Sequence, residues 1–154
     1  MQERFKLIPE VFLFLIRDGQ ILLGRRFQTG WQDGNYGLPA GHGEANETMR
    51  EGACREALEE IGITIEPDEL VFAHTQHRFG EDNPHARIGF YFTTTHYVGE
   101  PHIAEPDKCD ALDWFPLTDL PTNIVPQVRA AIQSYVRGEK YSEYNWEVRM
   151  PFVQ

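Results

Sequence analysis

The sequence predicts an α+β fold, an α/β/α sandwich in which a mixed sheet lies between helices. Some stretches have the periodicity of amphipathic helices and others the apolar or alternating pattern of strands, without the regular rhythm of a parallel sheet. The chain has 154 residues, of which 41% are hydrophobic, enough for the buried core of one domain. We therefore expect a single domain over residues 1–154, in which residues 138–154 form a C-terminal tail.

A β-hairpin is predicted near the N-terminus. Residues 11–16 form an apolar run rich in strand-forming residues, and residues 20–26 predict a second strand. Between them, Asp18 and Gly19 favour the tight turn of a hairpin. Residues 27–37 are rich in Gly, Asn and Asp, which is typical of a loop.

The clearest helical pattern occupies residues 48–61, after a short extended stretch at residues 38–41. Its apolar positions recur at steps of four residues: Met49, Ala53, Ala57 and Ile61. Thr48 followed three residues later by Glu51 is the pattern of a capping box, and Gly62 is the expected stop. The sequence therefore fixes both predicted ends of this helix.

Three further strands are predicted downstream, at residues 69–79, 86–98 and 109–115. The first two are joined by a polar turn at residues 80–84, and the third follows a loop at residues 99–108.

The last predicted helix spans residues 123–137. Its apolar residues can share one face: Val125, Val128, Ala131, Ile132 and Tyr135. The tail that follows contains aromatic residues, including Tyr144, Trp146 and Phe152, but has no clear periodicity. We expect no regular element in it.

Charge and hydropathy limit the classes of partner. With 14 Lys and Arg against 24 Asp and Glu, the net charge is −10, so we expect no nucleic-acid partner and no binding to anionic membranes. No apolar run approaches the roughly 20 residues of a membrane-spanning helix, and residues 1–10 lack the pattern of a signal peptide. We therefore expect a cytoplasmic protein in which Cys54 and Cys109 are buried thiols and not a disulfide.

Acidic residues crowd one face of the predicted helix at residues 48–61. Glu56, Glu59 and Glu60 stand at i, i+3 and i+4, where like charges repel. A solvated acidic surface would explain such a face, but clustered carboxylates are also the ligands that Mg²⁺ and Mn²⁺ prefer. Gly52, one turn earlier, is unfavourable in a helix and indicates that some group approaches the helix closely there.

The segment over residues 41–63 resembles the Nudix box, G-x5-E-x7-R-E-U-x-E-E-x-G-U, in which U is a bulky aliphatic residue. The matching residues are Gly41, Glu47, Arg55, Glu56, Glu59, Glu60, Gly62 and Ile63. Ala57 is smaller than the usual aliphatic residue at its position. The flanking pattern also resembles the Nudix fold, and in particular its MutT-like branch, over most of residues 11–137.

The resemblance implies a hydrolase of nucleoside diphosphates linked to another group, which cleaves a phosphoric anhydride bond. It implies Mg²⁺ as cofactor, with Mn²⁺ as a substitute, because the cation neutralises phosphate charge and polarises phosphorus. The implied metal ligands are Glu56, Glu59, Glu60, Glu105 and the carbonyl of Gly41. The implied catalytic residues are Glu47, Arg55, Glu56, Glu59 and Glu105, with Arg55 pairing with Glu47 and orienting Glu56.

One of the implied acids lies outside the box. Glu105 lies in the loop where the MutT-like branch places such a glutamate, while Asp107 and Asp110 are competitors. A solvated turn would equally explain Glu105.

Candidate substrate-binding residues lie on other segments. Arg25 and Arg26 end the second predicted strand, near the position that the resemblance implies for phosphate or base. Asn123 resembles the residue that reads a purine in the MutT-like branch, although a helix-capping role explains it equally. Trp114 is a candidate to stack on a base or to pack in the core. We expect His74, His77 and His85 to be surface or packing residues.

Three functions remain open from the sequence. The first is a pyrophosphohydrolase that converts a nucleoside triphosphate, damaged ones included, to nucleoside monophosphate and pyrophosphate. The second is a hydrolase of ADP-ribose, a dinucleoside polyphosphate or a nucleotide sugar. The third is a non-catalytic sensor on the same fold, although such proteins typically lose acids of the box. A nucleotide is the expected small-molecule partner in each case, and both a monomer and a homodimer remain open.

Overall fold

A computed structural model describes residues 2–80 and 85–149. The strands are β1 (Ile8–Phe14), β2 (Ile16–Arg17), β3 (Gln20–Arg26), β4 (Tyr36–Gly37), β5 (Ala40–His42), β6 (Val71–Arg78), β7 (Arg87–Thr93), β8 (Cys109–Pro116) and β9 (Tyr141–Tyr144). The helices are α1 (Met49–Ile61) and α2 (Pro126–Val136), with a short 3₁₀ turn at Pro67–Glu69. Residues 81–84 of the predicted turn, and Phe152 of the tail, lie outside the described residues.

The main sheet is mixed and has five strands in the order β5-β1-β7-β6-β9. β1 runs parallel to β7, and β6 runs parallel to β9, whereas β5 and β7 pair antiparallel with β1 and β6 respectively. A second sheet of four strands joins β2, β3 and β4, with β8 paired to β3. The antiparallel pairing of β3 with β8 places Leu22 opposite Trp114.

The core lies on both faces of the main sheet because the side chains of β1 alternate. Phe12 and Phe14 pack in a cluster with residues of α2, including Val128 and Ile132. Val11, Leu13 and Leu15 pack in the opposite cluster with the apolar residues of α1. A helix thus covers each face of the sheet, which confirms the predicted α/β/α sandwich.

The local signals at the first hairpin and at α1 are confirmed. Asp18 and Gly19 have φ of 51° and 74°, the left-handed pair that a tight hairpin turn requires. The Glu51 amide donates to Thr48 Oγ1 at 3.1 Å, and the Thr48 amide donates to Glu51 Oε2 at 2.7 Å. Gly62 ends the helix with φ of 68°, its amide donating to the Leu58 carbonyl.

Among the predicted elements that are shorter in the structure, two have a local cause. The strand expected at residues 86–98 ends at Thr93, because Thr94 Oγ1 accepts from the His96 amide and forms a turn. The helix expected at residues 123–137 begins only at Pro126, because the residue before a proline disfavours helical geometry.

The C-terminal tail contains a strand that the sequence does not predict. β9 is only four residues long, too short for a periodic pattern, and it pairs with β6. The buried His74 ring anchors it, with Nδ1 2.8 Å from the Glu139 carbonyl and Nε2 2.7 Å from Ser142 Oγ. His74 is therefore a packing residue, as expected.

The two cysteines form no disulfide with each other. Cys54 and Cys109 are free thiols, half-buried where the sequence suggested full burial. Across the described ranges, neither helix has the length and apolar character that crossing a bilayer would take.

Candidate active site

An arginine on α1 organises the acidic residues of the box. The Arg55 guanidinium donates from Nε to Glu47 Oε2 at 3.1 Å and from Nη2 to Glu47 Oε1 at 2.8 Å, a bidentate pair. Its Nη1 donates to Glu56 Oε1 at 2.6 Å, and Nη2 also reaches the His42 carbonyl at 3.2 Å. The bidentate pair with Arg55 holds the pKa of the Glu47 carboxyl below its usual range. Arg55 thus fixes Glu56 between α1 and β5.

Two glycines make room for these carboxylates. A Cβ at Gly41 would overlap the Glu56 carboxyl group, so only glycine allows Glu56 to lie against β5. A Cβ at Gly52 would stand 2.9 Å from Glu47 Oε1. The group that approaches α1 at Gly52 is therefore Glu47, which explains an otherwise unfavourable helical glycine.

Glu60 is a half-buried acid of the cluster. Its Oε2 accepts the Ala40 amide of β5 at 3.1 Å. Burial raises the pKa of Glu60 to about 8; the Ala40 hydrogen bond opposes this rise, and the nearby charges of Glu56 and Glu105 add to it. Burial also raises the pKa of Glu56, against the pull of Arg55.

The remaining candidate acids differ in their surroundings. Glu59 is exposed, with Oε2 3.8 Å from Arg55 Nη1. The loop that carries Glu105 is fixed to the end of α1, where the Ala104 amide donates to the Glu60 carbonyl at 3.2 Å. Glu105 itself stands 3.5 Å from Lys108 Nζ. The loop therefore brings the charge of Glu105 towards Glu60.

Glu105 also differs from its two competitors. The Asp110 carboxylate accepts from Arg25 Nε at 2.7 Å and Nη2 at 3.2 Å, on the pairing of β3 with β8. Glu105 lines a cavity together with Glu60, whereas neither Asp107 nor Asp110 is among its described lining residues.

The donor chemistry fits a hard divalent cation. Within residues 2–80 and 85–149, no three His, Cys, Asp or Glu side chains already stand in an arrangement that could hold a metal ion. Glu56 and Glu60 nevertheless combine carboxylate oxygens, burial and raised pKa values, a state that a bound cation would relieve by favouring the charged forms. Oxygen ligands of this kind suit Mg²⁺ or Mn²⁺.

Two adjoining cavities surround this cluster. One, of about 430 Å³, is lined by Glu60 and Glu105. The other, of about 440 Å³, is lined in part by Gly41. Arg26, Leu38 and Ala40 line both cavities, so the acids and the larger cavity share one wall.

The two predicted arginines point to different places. Arg26 lines both cavities, where Nε donates to the Trp31 carbonyl at 2.8 Å and the guanidinium lies 4.9 Å from the Trp31 ring. Burial lowers the pKa of Arg26. Arg25 is bound to Asp110 and is not among the described residues of either cavity. Substrate contact remains a prediction for both.

Asn123 and Trp114 have structural contacts. Asn123 precedes the first residue of α2 by three positions, and Val125 occupies the N-cap, so the capping role is wrong. Instead Asn123 Nδ2 donates to the Gly34 carbonyl at 3.0 Å and ties down the preceding loop. Trp114 packs against the core beside α1, with the Arg17 guanidinium 4.6 Å from its ring. Neither residue is among the described lining of the two cavities.

Sequence reasoning missed several residues of the larger cavity. They are Glu10, Trp31, Gln32, Arg78, Phe79, Arg87, Gln127, Tyr144 and Asn145. They come from a loop, from strand ends and from the tail, which no local pattern brings together. The aromatic content of the tail was the one available signal.

A family profile described as the NUDIX domain matches residues 6–135. The chain belongs to the NUDIX family. It is accordingly a NUDIX hydrolase that acts on a phosphoric anhydride bond. NUDIX hydrolases generally need divalent metal ions, in agreement with the acidic cluster.

Individual relatives are similar at moderate identity. A crystal structure of a MutT NUDIX hydrolase from Burkholderia pseudomallei is 30% identical, with a TM-score of 0.75, and covers 83% of this chain and 97% of that one. Phosphatase NudJ of Escherichia coli is 30% identical over 117 residues, covering 72% of this chain and 76% of NudJ. The NAD-capped RNA hydrolase NudC of Stutzerimonas stutzeri is 26% identical over 117 residues, covering 75% of this chain but only 39% of NudC.

Replacing Arg55 with lysine tests its role as the organiser of the acids. Lysine keeps the charge but cannot bind Glu47 in a bidentate manner. We expect a loss of about 10–100-fold in activity and a higher Mg²⁺ concentration for half-activation. Arg50→Lys, an exposed position on the same helix, is the matched control. An Arg55→Lys enzyme with an unchanged Mg²⁺ dependence would contradict this role.

Proposed function

We propose that this NUDIX hydrolase is a Mg²⁺-dependent pyrophosphohydrolase that cleaves a nucleoside triphosphate, damaged ones included, into nucleoside monophosphate and pyrophosphate. One observation carries the proposal: Glu60 stands beside Glu56, which Gly41 and Arg55 hold against β5, and Glu60 lines a cavity of about 430 Å³. That volume is within the usual range for a small-ligand pocket, about 300–1,000 Å³.

Each residue of the cluster has a distinct part in this proposal. Glu56, Glu60 and the Gly41 carbonyl would hold the cation, with Glu59 and Glu105 as further ligands. A divalent cation held there supplies neutralisation of the phosphate charge and polarisation of phosphorus. Arg55 keeps Glu56 oriented and Glu47 keeps Arg55 oriented, so the carboxylate does not reorganise when substrate arrives.

The negative charge of the protein requires a cationic side chain beside the acidic cluster. The protein carries a net charge of −10, so a polyphosphate needs local positive charge to bind. Arg26 lies on the wall that both cavities share and is the cation best placed between the acidic cluster and the larger cavity. We infer that Arg26 contacts the phosphate chain.

A second candidate is removal of a terminal phosphate. It is favoured by the relative NudJ, which is named a phosphatase and is 30% identical to this chain. The same acids would serve, and only the phosphorus attacked would differ. Hydrolysis of ADP-ribose, dinucleoside polyphosphates or nucleotide sugars is the other alternative. A non-catalytic sensor is disfavoured because every acid of the box is present.

One assay separates these functions. Purified protein is incubated with Mg²⁺ and a panel of nucleoside triphosphates, diphosphates, ADP-ribose, dinucleoside polyphosphates and nucleotide sugars, and pyrophosphate and phosphate are measured separately. We expect pyrophosphate and a monophosphate from a triphosphate, and no turnover in EDTA. Phosphate as the first product would favour the phosphatase. Faster turnover of ADP-ribose than of every triphosphate would overturn the proposal.

A further inference from the structure

We propose that Gln127 recognises the nitrogen heterocycle of the substrate, in the larger cavity and against an aromatic wall that the C-terminal tail completes. This inference rests on the proposed nucleotide substrate and assigns its base-binding residue. It replaces Asn123, whose side chain is bound to the Gly34 carbonyl instead.

The side chain of Gln127 has no hydrogen-bond partner among the described residues, although the residue as a whole is largely buried. Gln127 is 8% exposed and lies in the first turn of α2. The amide is not among the fully buried unpaired atoms of residues 2–80 and 85–149, so it is open to the cavity that Gln127 lines. Because Gln127 lines the cavity, a ligand in that cavity can reach this amide.

A buried polar chain fixes the position of Gln127. Gln76 Nε2, on β6, donates to the Gln127 carbonyl at 3.1 Å, and Tyr91 Oη lies 3.5 Å from Gln76 Oε1. Gln76 and Tyr91 are 2% and 0% exposed. The main chain of Gln127 is therefore tied to the sheet, while its side-chain amide has no such bond. This arrangement suits a residue that must present the amide to a ligand in a fixed place.

The aromatic wall of the same cavity suits a planar ligand. Trp31, Phe79 and Tyr144 are all lining residues, and flat heterocycles bind between such rings. An amide can donate and accept at once, which matches the edge of a nucleobase that has both kinds of group. The combination favours a nitrogen heterocycle over a simple phosphate or sugar, neither of which has a π face to stack.

The tail holds part of this wall in place. Asn145 Nδ2 donates to the Phe79 carbonyl at 3.1 Å, and the Trp146 ring lies 5.5 Å from the Phe79 ring. Trp146 Nε1 also donates to the His77 carbonyl at 2.9 Å. These residues lie beyond residue 135, where the NUDIX match ends. The segment that follows the family match thus contributes directly to the proposed recognition site.

Binding without metal tests the assignment separately from catalysis. AMP, GMP, CMP and UMP, with ribose 5-phosphate as a probe that lacks the heterocycle, are titrated calorimetrically in EDTA into wild type, Gln127→Leu and Gln133→Leu. Gln133 is exposed on the same helix and is the matched control. We expect Gln127→Leu to weaken the preferred monophosphate by about tenfold or more, and to leave ribose 5-phosphate unchanged. Gln133→Leu should resemble wild type.

A second variant keeps the test informative if Gln127→Leu folds poorly. Gln127→Glu retains the shape of the side chain, but an ionised carboxylate only accepts hydrogen bonds and cannot donate them. The order of preference among the four monophosphates should therefore change. Equal affinities in wild type and both Gln127 variants would overturn the inference, as would a wild type that binds ribose 5-phosphate as tightly as every monophosphate. Product analysis is independent: phosphate release from a triphosphate would refute the pyrophosphohydrolase while leaving Gln127-dependent base binding intact.

Discussion

Replacing Glu60 with glutamine is expected to lower kcat by about 100-fold or more while leaving the fold intact. The glutamine side chain has the same shape, and its carbonyl oxygen can still accept the Ala40 amide that bonds to Glu60 at 3.1 Å. The change removes the negative charge that a divalent cation requires from its ligand. Steady-state kinetics over a range of Mg²⁺ concentrations measure the loss, and circular dichroism checks the fold.

Glu66→Gln is the matched control for this substitution. Glu66 is exposed, lies just beyond α1 and forms no capping hydrogen bond, so its neutralisation alters the net charge alone. It should retain wild-type activity. A Glu60→Gln enzyme that keeps more than about a tenth of wild-type kcat at saturating Mg²⁺ would remove Glu60 from the proposed ligand set.

The parts of this site that could be predicted are those fixed by local spacing on one helix. Glu56 and Glu60 are one turn apart on α1, so their proximity follows from helical geometry once the capping box sets the start. Gly52 likewise indicated a close approach, and the approaching group is Glu47, five residues earlier in the chain. These relations depend only on backbone periodicity.

The parts that could not be predicted depend on contacts between distant segments. Gln127 and Tyr144 meet Trp31 in one cavity only because β9 joins the edge of the sheet beside β6. A four-residue strand has too few positions for a pattern, and its pairing depends on the buried ring of His74. The expected capping role of Asn123 rested on a helix start that Pro126 displaces by three residues.

In the absence of metal, the protein is expected to lose stability as the pH rises from about 5 to about 8 because of Glu60. Its pKa rises from 4.5 to about 8 on folding, so between these values the folded state binds the proton more than the unfolded state does. Stability then falls with increasing pH, by up to about 1.4 kcal/mol per pH unit for one full proton, and levels off above the folded pKa. The raised pKa of Glu56 acts in the same direction.

Comparison with Glu60→Gln isolates this contribution from other titrating groups. Burial lowers the pKa of His74 from 6.5, so His74 adds stability as the pH rises and opposes Glu60 in the lower part of the window. Both proteins contain His74, and the difference between their urea unfolding free energies cancels its effect. In EDTA, Glu60→Gln should equal wild type near pH 4 and become progressively more stable than wild type towards pH 8. A difference that does not change with pH would contradict burial of a protonated Glu60.

Magnesium should reduce the difference in stability between the two proteins at pH 8. A cation bound only by the folded state stabilises it by about 2.7 kcal/mol at a hundred times its Kd, and wild type has the charged ligand that Glu60→Gln lacks. Wild type should therefore gain about 5–10 °C in Tm at that concentration, since about 1 kcal/mol shifts Tm by roughly 2–4 °C at this size. The variant should gain much less. Equal gains in Tm for the two proteins would show that Mg²⁺ binds elsewhere. The acids of α1 would then repel one another in the apoprotein without holding the cation.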